Sequence, residues 1–301
     1  MSRIHPKKGL IHLINAWSSL SKKHVDWNLL IVGPVDDKKY LDEVVKSKEL
    51  NYIPVGLGIK NYPEGWLRDN TGQNISKKNK YYGEYTFHYW LWKNYLDKLE
   101  DKWIGFCQYR KYWSLRGTQS NQEIKNIEEL KNLIIQQIPK NYNDYDCILG
   151  EPMFVNQFRF SKFIKRNLIP MIKKPILFFD KNKRNLRFHF DMMHGQGNLS
   201  KAIDLLEDSE KKDFNNFLDN SVSFNPHNMF ICRKKKILTG YYNSVFPWLA
   251  KCEKLFGFDL EGYGLKRIYG FLAERYMSFW FKKYTKFRLM PIIFKDISDF
   301  D

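Results

Sequence analysis

The sequence predicts an α/β protein built on one sheet, and three observations carry that prediction. Short apolar runs that stop at Gly or a turn alternate with longer segments whose apolar residues recur at helical spacing. No internal repeat organises the chain, which leaves an alternating sheet-and-helix layout. Its 301 residues, 43% of them hydrophobic and many of those Phe, Tyr or Trp, suit one large domain or two ordinary ones with a real core.

The first expected element is a helix on which Leu10, Leu13, Ile14, Trp17 and Leu20 share a face. The apolar run 29–32 follows as a buried strand, stopped by Gly33-Pro34. At Tyr52 the register changes, and 52–56 reads as a strand entering a Gly loop. An Asp69-Asn70-Thr71-Gly72 turn precedes one helix from 78 to 97, with Tyr81, Tyr85, Tyr89, Trp92 and Leu96 on a core-facing stripe. A strand at 103–107 comes next, then a capping box at 120–123 opening a helix that carries Ile124, Ile127, Leu130, Ile134 and Ile138. Strands at 146–150 and 228–232 flank a basic segment and a polar helix at about 200–218. Two helices close the chain, one through Val245, Trp248, Leu249, Cys252 and Leu255, the other through Ile268, Leu272, Arg275 and Phe279. The expected division is 1–48 and 49–301.

The formal net charge of +17 points to an anionic partner: nucleic acid, a membrane surface or a phosphorylated substrate. Between 159 and 187 there are ten Lys or Arg against Asp180 alone, with Phe158, Phe160, Phe163, Phe178 and Phe179 in or beside the run. That mixture suits an anionic bilayer or a lipid-phosphate acceptor, and equally a solvated lysine-rich face. No nucleic-acid motif accompanies it, so no nucleic acid is expected. No apolar run reaches the roughly 18 residues of a spanning helix. The opening MSRIHPKKG lacks the apolar core of a secretory signal. Cys107, Cys147, Cys232 and Cys252 form no CxxC pair, and reduced thiols are expected. The expected location is the cytoplasm, peripherally on the inner face of its membrane.

Ser2-Arg3-Ile4-His5-Pro6-Lys7-Lys8-Gly9, the helix through Ala16-Trp17, and Leu30-Ile31-Val32-Gly33-Pro34 resemble the start of the second nucleotide-binding half of GT-B glycosyltransferases. The resemblance implies that Lys7 or Lys8 approaches donor phosphates, but it stops near Val45, before that domain's later acidic donor-binding motif. The segment is therefore read as a truncated relic, or as the substitute for a missing first strand.

The block 69–113 holds the most chemistry. A turn rich in Gly, Asn and Thr offers backbone N–H groups and short polar side chains to phosphate or sugar hydroxyls. Asp69-Asn70-Thr71-Gly72-Gln73-Asn74-Ile75-Ser76, Lys78-Asn79, Glu84, Thr86, Tyr89-Trp90, Trp92-Lys93-Asn94, Ile104-Gly105-Phe106 and Tyr109-Arg110-Lys111-Tyr112 occur in order, followed by Asn228-Met229-Phe230 and Gly270-Phe271-Leu272-Ala273-Glu274-Arg275. This series resembles a bacterial domain-of-unknown-function family of exopolysaccharide and capsular polysaccharide biosynthesis proteins, which are GT-A-like glycosyltransferases. Coverage runs from about Tyr52 onward, with Gln108 where the family usually has His.

The resemblance implies a GT-A-like single nucleotide-sugar-binding sheet domain flanked by helices, with a helical C-terminal part. It also implies transfer of a hexosyl group from a nucleotide-diphosphate sugar to a surface polysaccharide or lipid-linked glycan; galactofuranosyl transfer has been linked to some members. Asp69, Asn70, Thr71, Gly72, Asn74, Asn79, Lys93, Tyr109 and Asn228 are carried over as donor-binding positions. Arg110 stands where GT-A folds usually keep a metal-binding Asp-x-Asp, and its guanidinium could neutralise the diphosphate by bidentate contacts. That favours a metal-independent reaction, with Mg2+ or Mn2+ on Asp69 or Asp146 left open. Glu274, at the start of an aromatic helix, is the expected general base of an inverting displacement, with His227 as the alternative. Structural roles compete in each case: Asn74 and Asn79 as caps, Arg110 and Glu274 as members of ion pairs. The competing function is a non-catalytic remnant or hybrid that binds other polysaccharide-synthesis components.

Overall fold

The computed structural model describes residues 29–33, 52–59, 67–100, 102–108, 111–116, 124–125, 127–135, 137–157 and 180–295. The expected first helix, the capping box at 120–123, Tyr109, Arg110 and the aromatic basic run 158–179 lie outside the described residues. The described strands are β1 (Leu29–Gly33), β2 (Tyr52–Gly56), β3 (Leu67–Arg68), β4 (Ile104–Cys107), β5 (Lys111–Trp113), β6 (Cys147–Gly150), β7 (Met153–Phe154), β8 (Ser223–Phe224), β9 (Phe230–Cys232), β10 (Phe287–Met290) and β11 (Ile292–Phe294). The helices are α1 (Asn79–Tyr82), α2 (Tyr85–Asn94), α3 (Ile127–Leu133), α4 (Leu186–His194), α5 (Asn198–Ile203), α6 (Asp208–Asn220), α7 (Lys235–Phe256), α8 (Tyr263–Lys266) and α9 (Ile268–Tyr284).

The chain divides into two compact units: 1–151, 229–243 and 284–301 make the first, 152–228 and 244–283 the second. The first contains a seven-stranded mixed sheet in the order β10-β6-β9-β4-β1-β2-β3. β1 lies between two parallel partners, pairing Leu29↔Tyr52 through Gly33↔Gly56 on one side and Leu29↔Gly105 through Ile31↔Cys107 on the other. The apolar run expected to stand in for a first strand is thus a central strand of the sheet. β9 runs antiparallel to both β4 and β6. Two strands follow the closing helices, where the sequence suggested helix alone: β10 extends the sheet beside β6, and β11 pairs with β5. Trp113, Ile135, Tyr142, Ile148, Met229, Ile231 and Met290 pack into one buried cluster of this unit. Removing each such side chain from water contributes roughly 1.5–3 kcal/mol.

The single helix expected from 78 to 97 is two. Gly83, at φ +62°, ends α1, and α2 restarts with a new phase. The buried face is therefore Tyr85, Phe87, His88, Trp90 and Leu91, while Tyr89 and Trp92 stay half exposed. Buried aromatics with polar tips need partners. The Tyr85 hydroxyl lies 2.6 Å from that of Tyr241, and His88 Nδ1 lies 2.8 Å from the Tyr242 hydroxyl.

In the second unit β7 pairs antiparallel with β8. The polar helix expected near 200–218 is interrupted and becomes α5 and α6. Phe214 of α6 anchors the core, with ring centroids of Tyr276 and Phe279 5.5 and 4.9 Å away. Among the described residues, no helix is long and apolar enough to cross a membrane.

Candidate functional site

Each unit gathers its own cluster of chemistry-bearing residues. In the first, chain order reverses beside β1: β2 and β3 lie to one side, β4 to the other. In open α/β sheets, ligands bind outside the carboxyl ends of the strands at such a switch point. Those ends are Gly33, Gly56-Leu57-Gly58, Arg68-Asp69 and Cys107-Gln108. Arg110 and Tyr109 follow the last of them in sequence and lie outside the described residues.

Asp69 is fully buried, and both its carboxylate oxygens are engaged. The Gly58 N–H donates to Oδ1 at 2.7 Å and the Thr86 hydroxyl lies 2.5 Å from Oδ2. Burial pushes the carboxyl up to about 6, against the pull of the Thr86 and Gly58 hydrogen bonds. Asn79, half-buried, donates through Nδ2 to the Gly83 carbonyl at 2.9 Å and to Thr86 Oγ1 at 3.0 Å. Asp69, Thr86 and Asn79 therefore form one internal network that ties the end of β3 to α1 and α2.

The polar turn is pinned from behind by Asn94, which sequence reasoning did not assign to the site. Asn94 Oδ1 accepts from the Gln73 N–H at 2.9 Å, and its Nδ2 donates to the Gln73 and Trp90 carbonyls. Gly72 sits at φ +53°, and a Cβ there would stand 2.2 Å from Asn94 Oδ1. The available signal was an Asn in the last turn of an aromatic helix, 21 residues after Gln73 of the turn. Thr71 donates to the Arg68 carbonyl at 3.1 Å and accepts from Trp90 Nε1 at 2.9 Å. Asn74 Oδ1 accepts from the Ser76 N–H and hydroxyl, and Nδ2 donates to the Gly72 carbonyl. Asn70 is half-buried in the same turn. Exposed Lys93 places Nζ 3.2 Å from the centroid of the Trp92 ring, a cation–π contact.

Gln108 bridges two charges. Its Nε2 donates to Glu84 Oε1 at 2.9 Å, and its Oε1 accepts from Lys111 Nζ at 2.6 Å. Asp146, the other carboxylate considered for a metal ion, accepts from the Lys286 N–H at 2.9 Å.

The second unit holds Glu274, which lies in the middle of α9 rather than at a helix start. Its Oε1 accepts from the His227 backbone N–H at 2.6 Å, and its Oε2 pairs with Arg275 Nη1 at 2.7 Å. Adjacent helical residues point apart, so this pair requires the Arg275 side chain to fold back. Arg275 is buried with its guanidinium 3.5 Å from the Phe224 ring centroid, and Nη2 lies 3.1 Å from His189 Nδ1. A guanidinium only donates, so His189 carries its proton on Nε2. His194 Nδ1 faces the Gly264 carbonyl at 3.0 Å and must be the protonated nitrogen of that ring. Burial, with Arg275 close by, holds His189 and His194 down at about 3, so both are neutral near pH 7. His227 and Asn228 adopt φ +80° and +52°, a conformation uncommon outside glycine.

A family described as a domain of unknown function (DUF4422) matches residues 38–286. Among solved structures, the WbbM bifunctional glycosyltransferase in its apo form is similar to the chain at 20% identity with a TM-score of 0.62. The match covers 89% of this chain and 45% of that one, so the chain spans about half that protein's length. No curated protein matches the chain.

Proposed function

The chain belongs to the DUF4422 family, and from that premise we propose that it is a glycosyltransferase with its donor side at the β1/β4 switch point of the first unit. The observation that carries this reading is the insertion of β1 between β2 and β4, which gathers the carboxyl ends of four parallel strands next to the 69–74 turn. The likeness of fold to a bifunctional glycosyltransferase supports it.

In this reading a nucleotide-diphosphate sugar donates a hexosyl group, with galactofuranosyl the first donor to try, to a surface polysaccharide or lipid-linked glycan. The acceptor oxygen forms a bond to the anomeric carbon. The bond from that carbon to the diphosphate oxygen breaks with inversion, and the nucleoside diphosphate leaves with the electron pair. Arg110 would neutralise that leaving group, and the acceptor's proton would pass to His227 or Glu274. The turn at Asn70, Thr71 and Gly72 would contact the donor, with Lys93, Tyr109 and Asn228 as further contacts. Asp69, Asn74 and Asn79 would act by holding that turn and its neighbours in shape, because their polar atoms bond within the protein. Work at the inner face of the cytoplasmic membrane, through the basic segment, belongs to the same proposal.

The competing reading, a non-catalytic remnant, rests on a sheet that lacks its first strand. The pairing of β1 on both edges favours the enzyme. Mass-detected transfer to a lipid-linked acceptor, from a panel of nucleotide sugars with and without EDTA, tests it. Failure of every nucleotide sugar both to bind by calorimetry and to react would sink the transferase reading, and loss of transfer in EDTA would replace the Arg110 role with a metal-assisted one.

A further inference from the structure

The loop Asn225-Pro226-His227-Asn228 is clamped to α9 at two points one helical turn apart. Ser278 Oγ accepts from the Asn225 N–H at 3.0 Å and donates to Asn225 Oδ1 at 2.8 Å. Glu274, four residues earlier on the same helix face, accepts the His227 N–H at 2.6 Å. Asn225 and Pro226 are buried and Asn228 is 7% exposed, so His227 is the most exposed member of the loop. Two consecutive non-glycine residues at positive φ are strained and persist only where the surroundings hold them. Here Glu274 is itself fixed by Arg275, and Arg275 by His189.

From this geometry we infer that Glu274 is a positioning residue: it holds the left-handed turn through the His227 N–H and so sets where the His227 imidazole stands, and the imidazole is the group that takes the acceptor's proton. The inference deepens the transferase reading and rests on it for the second clause only. Both Glu274 oxygens are already engaged, Oε1 by the His227 N–H and Oε2 by Arg275 Nη1, so neither is left facing an acceptor. His227 is the half-buried member of an otherwise buried loop, and histidine is the side chain most often used as a general base.

Two measurements test it. In protein labelled with 15N-histidine, the His227 amide proton should resonate far downfield, remain so in Glu274→Gln and move upfield in Glu274→Ala. An unmoved His227 amide in Glu274→Ala would overturn the clamp. In transfer assays, Glu274→Gln should lower kcat by no more than about tenfold, whereas Glu274→Ala and His227→Ala should each lower it about a hundredfold or more, the usual scale of losing a general base. The Glu274→Ala/His227→Ala pair should be no worse than His227→Ala alone, as expected of residues acting as one unit. Equal losses in Glu274→Gln and Glu274→Ala, with the acid limb of the pH profile gone in both, would make Glu274 the base and overturn the inference. If Glu274→Ala does not fold, Glu274→Asp replaces it; that variant must shift the amide and lower kcat more than Glu274→Gln does. The amide signal needs no donor, so an absence of transfer would sink the functional reading while leaving the clamp intact.

Discussion

Thr86 Oγ1 lies 2.5 Å from Asp69 Oδ2, joining the middle of the site's polar network to the end of β3. This contact works with either proton arrangement. With Asp69 ionised, the Thr86 hydroxyl donates to it. With a proton on Oδ2 the direction reverses, and the Thr86 hydroxyl turns to the Gly83 carbonyl 3.1 Å away.

The first prediction follows from that contact. Burial raises the Asp69 carboxyl from 3.8 to about 6, so between those values the folded protein binds more protons than the unfolded chain. Its contribution is full below 3.8 and lost as pH rises through about 6. The size is about 3 kcal/mol at 1.36 kcal/mol per pKa unit. Asp69→Asn can accept from Gly58 and donate to Thr86 at every pH. It should match or exceed the parent in urea midpoint at pH 7.5, with that advantage shrinking toward pH 4. Asp69→Ala should lose about 1–3 kcal/mol by orphaning the Gly58 N–H. An Asp69→Asn protein clearly weaker than the parent at pH 7.5 would show that bonds to the ionised carboxylate outweigh its burial.

Three buried histidines act in the opposite sense. His88, His189 and His194 are held at about 3, each first by burial. Their stabilisation is present above the ordinary value near 6.5 and lost as pH falls from there toward 3. Three such groups against one Asp69 make net stability fall on acidification below pH 6.5. His189→Gln keeps an acceptor for Arg275 Nη2 and cannot take up a proton, so its urea midpoint should fall less steeply between pH 6.5 and 4 than the parent's. Parallel slopes would mean that His189 is not the neutral acceptor assigned to it.

Gly72 and Asn94 should be energetically coupled. Gly72→Ala places a Cβ where Asn94 Oδ1 now sits, at a φ of +53° that costs an L residue about 1–2 kcal/mol. In an Asn94→Ala background the steric part disappears, so Gly72→Ala should cost less there. The difference read from a double-mutant cycle should lie between about 0.5 and 3 kcal/mol. Strict additivity would mean that the turn does not rest on Asn94.

Much of the fold was legible because the signals were local. The apolar runs before Gly33 and Gly56 announced two strands, and both are there. The phase of α2 was not legible, because a periodic stripe continues on paper across Gly83, whose φ of +62° resets the helix. Strand β10 was missed because Arg288 and Leu289 are exposed, which weakens its apolar alternation, and β11 because it is only three residues long. In the site, the polar character of Asp69, Asn74 and Asn79 was plain, but their bonding within the protein was not, since Thr86, Gly83 and Gly58 meet Asp69 and Asn79 only after folding. Nor does a sequence reveal that His227 and Asn228 are left-handed: that conformation depends on Glu274, 47 residues away.

The place of β1 gives the sharpest test of how the chain is organised. β1 pairs at five positions with β2 and at three with β4, and Ile31 faces partners on both sides, Pro54 and Cys107. Proline at a central strand position removes a ladder donor and is otherwise confined to edges, strand starts and bulges. Ile31→Pro should therefore lower the urea midpoint sharply, while Ile31→Val should change it little. A chain starting at residue 49 would lack β1 altogether, leaving the edges of β2 and β4 unpaired in the middle of the sheet. Exposed edges of that kind drive aggregation, so this chain should be recovered mainly as aggregate and should bind no nucleotide sugar. A soluble 49–301 chain that melts cooperatively near the parent's temperature would instead place a true domain boundary at 48 and remove β1 from the working sheet.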